Sequence, residues 1–168
     1  MFAPATASGR QRDLARARLL ALLLPLALLG GALVSQYAGG LYPCEMCWWQ
    51  RYPHAAAIVL AAIAFSARAD SPRARALTGL AAAAIAVSGA IAVYHVGVEQ
   101  KWWEGITVCT ATGAATLEDI MKVPLIRCDQ VQWSLFGVSL AGFNAILSLG
   151  GAAAILALLG RGGRGVSR

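Results

Sequence analysis

The chain has 168 residues, of which 58% are hydrophobic and only 13% charged, and it carries a net charge of +6. A soluble domain has about 25% charged residues, so this composition excludes an ordinary water-soluble fold. The length fits one domain. The positive charge lies in short clusters rather than on one face, which argues against nucleic-acid binding.

No charge occurs between Leu19 and Cys44, Tyr52 and Ala67, Ala76 and Val98, or Gln130 and Gly160. A membrane helix needs about 20 apolar residues to cross the hydrocarbon layer. Three of the gaps suffice alone, and the second does so only if it begins near Cys44 or Cys47 and carries Arg51 with it. Four helices are predicted, over Leu19–Tyr37, from Cys44 or Cys47 to Ala67, over Pro72–Val96 and over Val131–Leu159. A signal peptide is the rival reading of the first, but its apolar stretch is long for one, so retention is expected. Ser71-Pro72 suits an N-cap followed by proline at the first helical position. Asp129 and Gln132 resemble a capping box opening the fourth helix. Thr116–Asp119 has the same form and predicts a short amphipathic turn on the membrane surface.

Lysine and arginine set the orientation. Ten of the fourteen fall in the N-terminal arm, in the turn holding Arg68, Arg73 and Arg75, and in the C-terminal tail. The stretch from Glu99 to Asp129 has five acids against three bases. The expected fold is an all-α membrane protein, a four-helix transmembrane bundle with both termini cytoplasmic. Its parts are a basic arm over residues 1–18, a membrane domain over 19–160 with outer loops at 38–46 and 97–130, and a basic tail over 161–168. Trp48, Trp49, Trp102, Trp103 and Trp133 then fall at outer ends, as an aromatic belt would. Gly79, Ser88, Gly89, Gly137, Ser139, Gly142 and Ser148 read as small residues for close helix packing, and Asn144 as an interhelical hydrogen-bonder.

All four cysteines, Cys44, Cys47, Cys109 and Cys128, fall on the outer side, where disulfides are permitted. Their two loops suggest the pairs Cys44–Cys47 and Cys109–Cys128, although four cysteines allow three connectivities. A Cys109–Cys128 bridge has a structural reading too, since a loop of that size gains about 3 kcal/mol in the chain-entropy model. Closing Cys44–Cys47 stabilises little, and CxxC spacing is the usual redox arrangement. Structural zinc is disfavoured because the second pair is eighteen residues apart. Covalent haem is disfavoured because Trp48 stands where CxxCH needs histidine.

Arg51 follows Cys47 at i+4, on the same helical face. Cys47 also lies in the first turn, where the backbone N–H groups favour an anion. Both effects stabilise a thiolate, the reactive form of cysteine. A charge at this depth is itself a functional signal, with snorkelling to the interface as the alternative. His95, at the end of the third helix, is a capping residue or joins Arg51 in a pocket that donates to a quinone oxygen. His54 with His95 would be a weakly supported ligand pair for haem b.

CEMCWWQR resembles the CxxCxxQR signature of the disulfide bond formation protein B (DsbB) family, quinone-linked thiol oxidoreductases of the bacterial inner membrane. YHVGVEQKWWEGITVCT and IRCDQVQWSLFGVSLAGFNAILSL resemble the rest of that family, from about Leu14 to Leu158. The resemblance implies that Cys44 and Cys47 are the quinone-proximal pair, with Cys47 against a ubiquinone or menaquinone bound by Arg51. His95 lies close to the place of a pocket residue. It implies also that Cys109 and Cys128 accept electrons from a periplasmic DsbA-like thioredoxin-fold protein. The expected activity is quinone-dependent protein-disulfide oxidation, with no metal. A vitamin K epoxide reductase-like enzyme is the redox alternative, but its CxxC is expected near the last helix. A disulfide-stapled scaffold or transporter subunit is the alternative without turnover.

Overall fold

A computed structural model describes residues 7–68, 70–106 and 126–163. The described residues are all-helical apart from one small hairpin, and they form four helices: α1 (Ala7–Tyr37), α2 (Glu45–Phe65), α3 (Pro72–Glu99) and α4 (Leu140–Gly163). Short links join α1 to α2 and α2 to α3, which makes them antiparallel neighbours. The pairs α1–α2, α2–α3, α3–α4 and α4–α1 all pack together, closing a ring. Three helices, α1, α3 and α4, are long and apolar enough to cross a membrane. The 21-residue α2 does not join them, because its first three turns hold Glu45, Gln50, Arg51 and His54.

Local chemistry sets the helix starts. At α3 the Ser71 side chain accepts from the Ala74 N–H at 3.2 Å and Pro72 opens the helix, as the sequence predicts. At α2 the cap is Cys44, whose sulfur accepts from the Cys47 N–H at 3.4 Å in place of the usual hydroxyl or carboxylate.

Three expectations change. Helix α1 begins at Ala7 rather than Leu19, since a helix can run on past the apolar stretch and the basic arm from Arg10 to Arg18 is helical. Helix α4 begins at Leu140 rather than Val131, because Ser134–Leu135 and Val138–Ser139 pair as an antiparallel hairpin. Its turn puts Phe136 at φ 52° and Gly137 at φ 79°, which a helix cannot continue. Asp129 and Gln132 form no capping box: Asp129 is bound by Lys101 and Arg127, and Gln132 donates to the Tyr42 carbonyl. The Thr116–Asp119 turn lies outside the described residues.

The core is divided. At the end away from Cys44 it is built from small side chains, with Ala17, Ala21, Ala57, Ala61, Ala81 and Ala82 buried around Ile85 and Ile155. Helices approach closely there and above it: a Cβ on Gly89 would lie 2.8 Å from Leu149 Cγ of α4. Arg18 is also buried and donates to the Ala64 and Ala67 carbonyls at 2.7 and 3.2 Å, closing the C-terminal end of α2. The other end has a second cluster of Cys44, Met46, Val98 and Ile126, flanked by Cys47, Trp49, Tyr94 and Cys128.

Candidate functional site

The site is built on the start of α2. Cys44 and Cys47 stand as thiols with their sulfurs 3.0 Å apart. Cys128 comes from the segment before the hairpin, and the Cys44 sulfur, the Cys128 sulfur and a His95 ring nitrogen lie within 4.8 Å of one another. Cys44, Cys47, Gln50, Arg51, His54 and His95 all border one cavity of about 280 Å³. Its other walls come from one side of α1, the start of α4 and residues near Trp133.

Arg51 is buried at 8% exposure, so it does not snorkel outward. Helix α1 holds it: one guanidinium nitrogen donates to the Gln36 side chain and the other to the Ala32 carbonyl at 3.1 Å. The group also lies 4.9 Å above the Trp48 ring. Its charge therefore stays beside Cys47 on the cavity wall without a carboxylate to neutralise it among these contacts.

Behind the cysteines runs a chain of buried polar side chains. Gln50 donates through Nε2 to the Met46 carbonyl at 3.1 Å and lies 2.9 Å from His95 Nδ1. Asn144 donates to Gln50 Oε1 at 2.8 Å and to Ser88 Oγ at 3.1 Å. His54 Nε2 lies 3.0 Å from both Asn144 Oδ1 and Ser88 Oγ, and Ser148 donates to Asn144 Oδ1 at 2.6 Å. His95 Nε2 lies 3.6 Å from the Cys44 sulfur and 3.9 Å from Glu99 Oε1. Outside the helices, Arg127 and then Lys101 hold the Asp129 carboxyl well below the usual carboxylate range.

Known proteins resemble this chain over most of its length. The profile of the family described as disulfide bond formation protein DsbB matches residues 14–158, most of the chain. The chain belongs to the DsbB family. It is similar to a disulfide bond formation protein B of Chromohalobacter salexigens, 33% identical over 77% of this chain and 83% of that protein. It is also similar to a disulfide bond formation protein B of Acidovorax sp. strain JS42, 30% identical over 91% of this chain and 92% of that protein. No solved structure matches it. Membership in the DsbB family makes the chain a disulfide bond formation protein and a disulfide oxidoreductase, with apolar helices that suit a membrane.

Within this DsbB-family site, the structure brings Cys44, Cys47, Arg51, His95 and Cys128 to one end of the helices. Cys109 lies outside the described residues, and with it the Cys109–Cys128 pairing. Asn144 bridges α4 to α2 and α3, as an interhelical hydrogen-bonder should. The Nε2 atoms of His54 and His95 serve Asn144 and Ser88 on one ring and the Cys44 region on the other. Cys44, His95 and Cys128 are spaced as three donors to a thiophilic metal would be. The Gln50 donor at Nδ1 leaves the His95 proton on Nε2, however, where a metal would need a lone pair. Sequence reasoning missed Gln36 and the site role of Gln50. The adjacency of glutamine and arginine in WWQR was the available signal for Gln50, and nothing in the sequence marked Gln36.

Proposed function

We propose that this protein reoxidises a DsbA-like dithiol protein and passes the electrons through its cysteines to a membrane quinone. The observation that supports it best is that Cys44 and Cys47 border a cavity together with a buried Arg51 that meets no carboxylate among the described residues, while Cys128 lies against Cys44 and His95. The proposed topology is a four-helix transmembrane bundle over 19–160 in the bacterial inner membrane. The arm over 1–18 and the tail over 161–168 face the cytoplasm, and the cysteines face the periplasm. Helix α2 is the fourth span, tolerated because α1 binds the charge it carries.

The cavity suits a quinone head group in kind. It is near the lower end of the 300–1,000 Å³ range of ligand sites, its walls include Leu28, Ala32, Leu140 and Phe143, and Arg51 supplies a donor for a carbonyl oxygen. A bound ubiquinone or menaquinone would supply a two-electron, two-proton acceptor. The chain's own residues do the rest. A partner thiolate attacks Cys109, forms a mixed disulfide and releases Cys128 as a thiolate. Cys128 attacks the Cys44 sulfur of a Cys44–Cys47 disulfide; the Cys128–Cys44 bond forms, the Cys44–Cys47 bond breaks, and the electron pair stays on Cys47. Arg51 and the first-turn N–H groups of α2 hold that thiolate against the cavity. The apolar walls keep water away from it.

Quinone-dependent oxidation of a DsbA-like dithiol by the purified protein, with each cysteine changed in turn, tests this. Loss of turnover in every single variant is expected. Turnover that survives Cys47→Ser would return the protein to the scaffold reading.

A further inference from the structure

The hydrogen bonds behind Cys44 run in one direction. Two unambiguous acceptors orient the chain: the Met46 carbonyl fixes Nε2 as the nitrogen of the Gln50 amide, and the Gln50 backbone carbonyl accepts from the Ser88 hydroxyl at 2.9 Å. Gln50 Nε2 therefore also donates to His95 Nδ1, and Gln50 Oε1 accepts from Asn144. Asn144 Oδ1 then accepts from Ser148 and from His54 Nε2–H. A neutral imidazole with an acceptor at Nδ1 carries its proton on Nε2. In His95 that nitrogen faces the Cys44 sulfur and the Glu99 carboxylate, and the ring also bonds the Cys128 backbone. The donors thus pass from His54 to Asn144 to Gln50 to His95, and the last N–H meets the Cys44 region.

We infer that Gln50, itself held by Asn144, is a positioning residue that fixes His95 as the Nε2–H tautomer and aims a hydrogen-bond donor at the Cys44 sulfur. This deepens the relay proposed above and rests on it for its place in turnover. When a thiolate resolves a Cys44–Cys128 disulfide by attacking Cys128, a new S–S bond forms there and the Cys44–Cys128 bond breaks. The electron pair goes to Cys44, no proton moves, and no outside oxidant is needed. The His95 N–H is in place to receive that charge before it forms, which is how fixed donors lower such barriers. The two thiols of the CxxC are then served from opposite sides, Cys47 by Arg51 and α1, and Cys44 by His95 and the α2–α4 chain. Gln50 and Asn144 are buried or half-buried and 94 residues apart in sequence, so the link exists only in the folded protein.

The test is nitrogen NMR of the full chain in nanodiscs with labelled histidine, together with the rate at which Cys44 is modified by 2,2′-dithiodipyridine. The rate is read in a background where Cys47, Cys109 and Cys128 are serine. Wild type should show His95 protonated at Nε2. Gln50→Glu, whose carboxylate accepts from Nδ1, should move the proton to Nδ1. Gln50→Glu and Gln50→Leu should each slow Cys44 modification by about tenfold or more, the worth of one hydrogen bond to a charged group. Asn144→Ala should slow it less. A wild-type His95 proton on Nδ1 overturns the inference, and that reading needs no variant to fold. An unchanged Cys44 rate in Gln50→Leu overturns it as well. Neither measurement involves quinone or a protein partner, so this inference and the relay fail separately.

Discussion

The two ends of the helices are built on opposite rules. At the end away from Cys44, alanines and Ile85 and Ile155 are packed with almost no hydrogen bonding between side chains, and specificity comes from shape. At the Cys44 end the interior contains two histidines, Gln50, Arg51, Ser88 and Asn144, and specificity comes from donors matched to acceptors. In an apolar surrounding an unmatched polar atom costs several kcal/mol, and among the described residues of this second core only His54 Nδ1 is buried without a partner. One end holds the helices together, and the other holds thiols and charges in register.

Substitutions can separate the two rules. The largest effect expected is at the chemistry itself: Cys47→Ser should abolish quinone-dependent dithiol oxidation while leaving the helical circular dichroism of the protein unchanged. Arg51→Leu should come next, raising the apparent quinone KM by about tenfold to a hundredfold with partner binding retained, as loss of a charged hydrogen bond predicts. Unchanged quinone dependence would mean that Arg51 serves only to join α2 to α1. Gly89→Val should act on packing alone, lowering thermal stability in detergent by about 1–3 kcal/mol because Leu149 and Ser148 occupy the space of its side chain. Its effect on Cys44 reactivity should be smaller than that of Gln50→Leu.

The smallest effect expected concerns pH. The Asp129 carboxyl is held low by Arg127 and Lys101, so its tie of the Cys128 segment to the end of α3 is fully present above the ordinary carboxylate range. The tie weakens progressively as pH falls below that range toward the lowered value, and Asp129→Asn should abolish that acid dependence. Hydrogen exchange of residues 126–130 between pH 6 and about 2 measures it.

What could be read from the sequence followed the range of the interaction involved. Ser71-Pro72 and a start of α2 at Cys44 or Cys47 are local signals: the first stands as read, and the structure settles the second on a Cys44 cap, with Cys47 and Arg51 one turn apart on the same helix. Hydropathy placed the apolar stretches but not the helix ends, because Arg10 to Arg18 continue α1 beyond its apolar part. The Ser134–Ser139 hairpin was hidden for a related reason. SLFGVS is as apolar as the helix that follows, and its turn depends on a positive φ at Phe136 that residue type does not announce. The Gln50–Asn144 link and the Gln36–Arg51 bond join separate helices, and no spacing rule covers them.

Both protein acceptors of the Arg51 guanidinium, Gln36 and Ala32, belong to α1. In the proposed relay the first helix is therefore part of the site, because it holds the arginine beside Cys47. A truncated chain starting after Tyr37 would keep every cysteine yet leave this arginine without its moorings and the cavity without a wall.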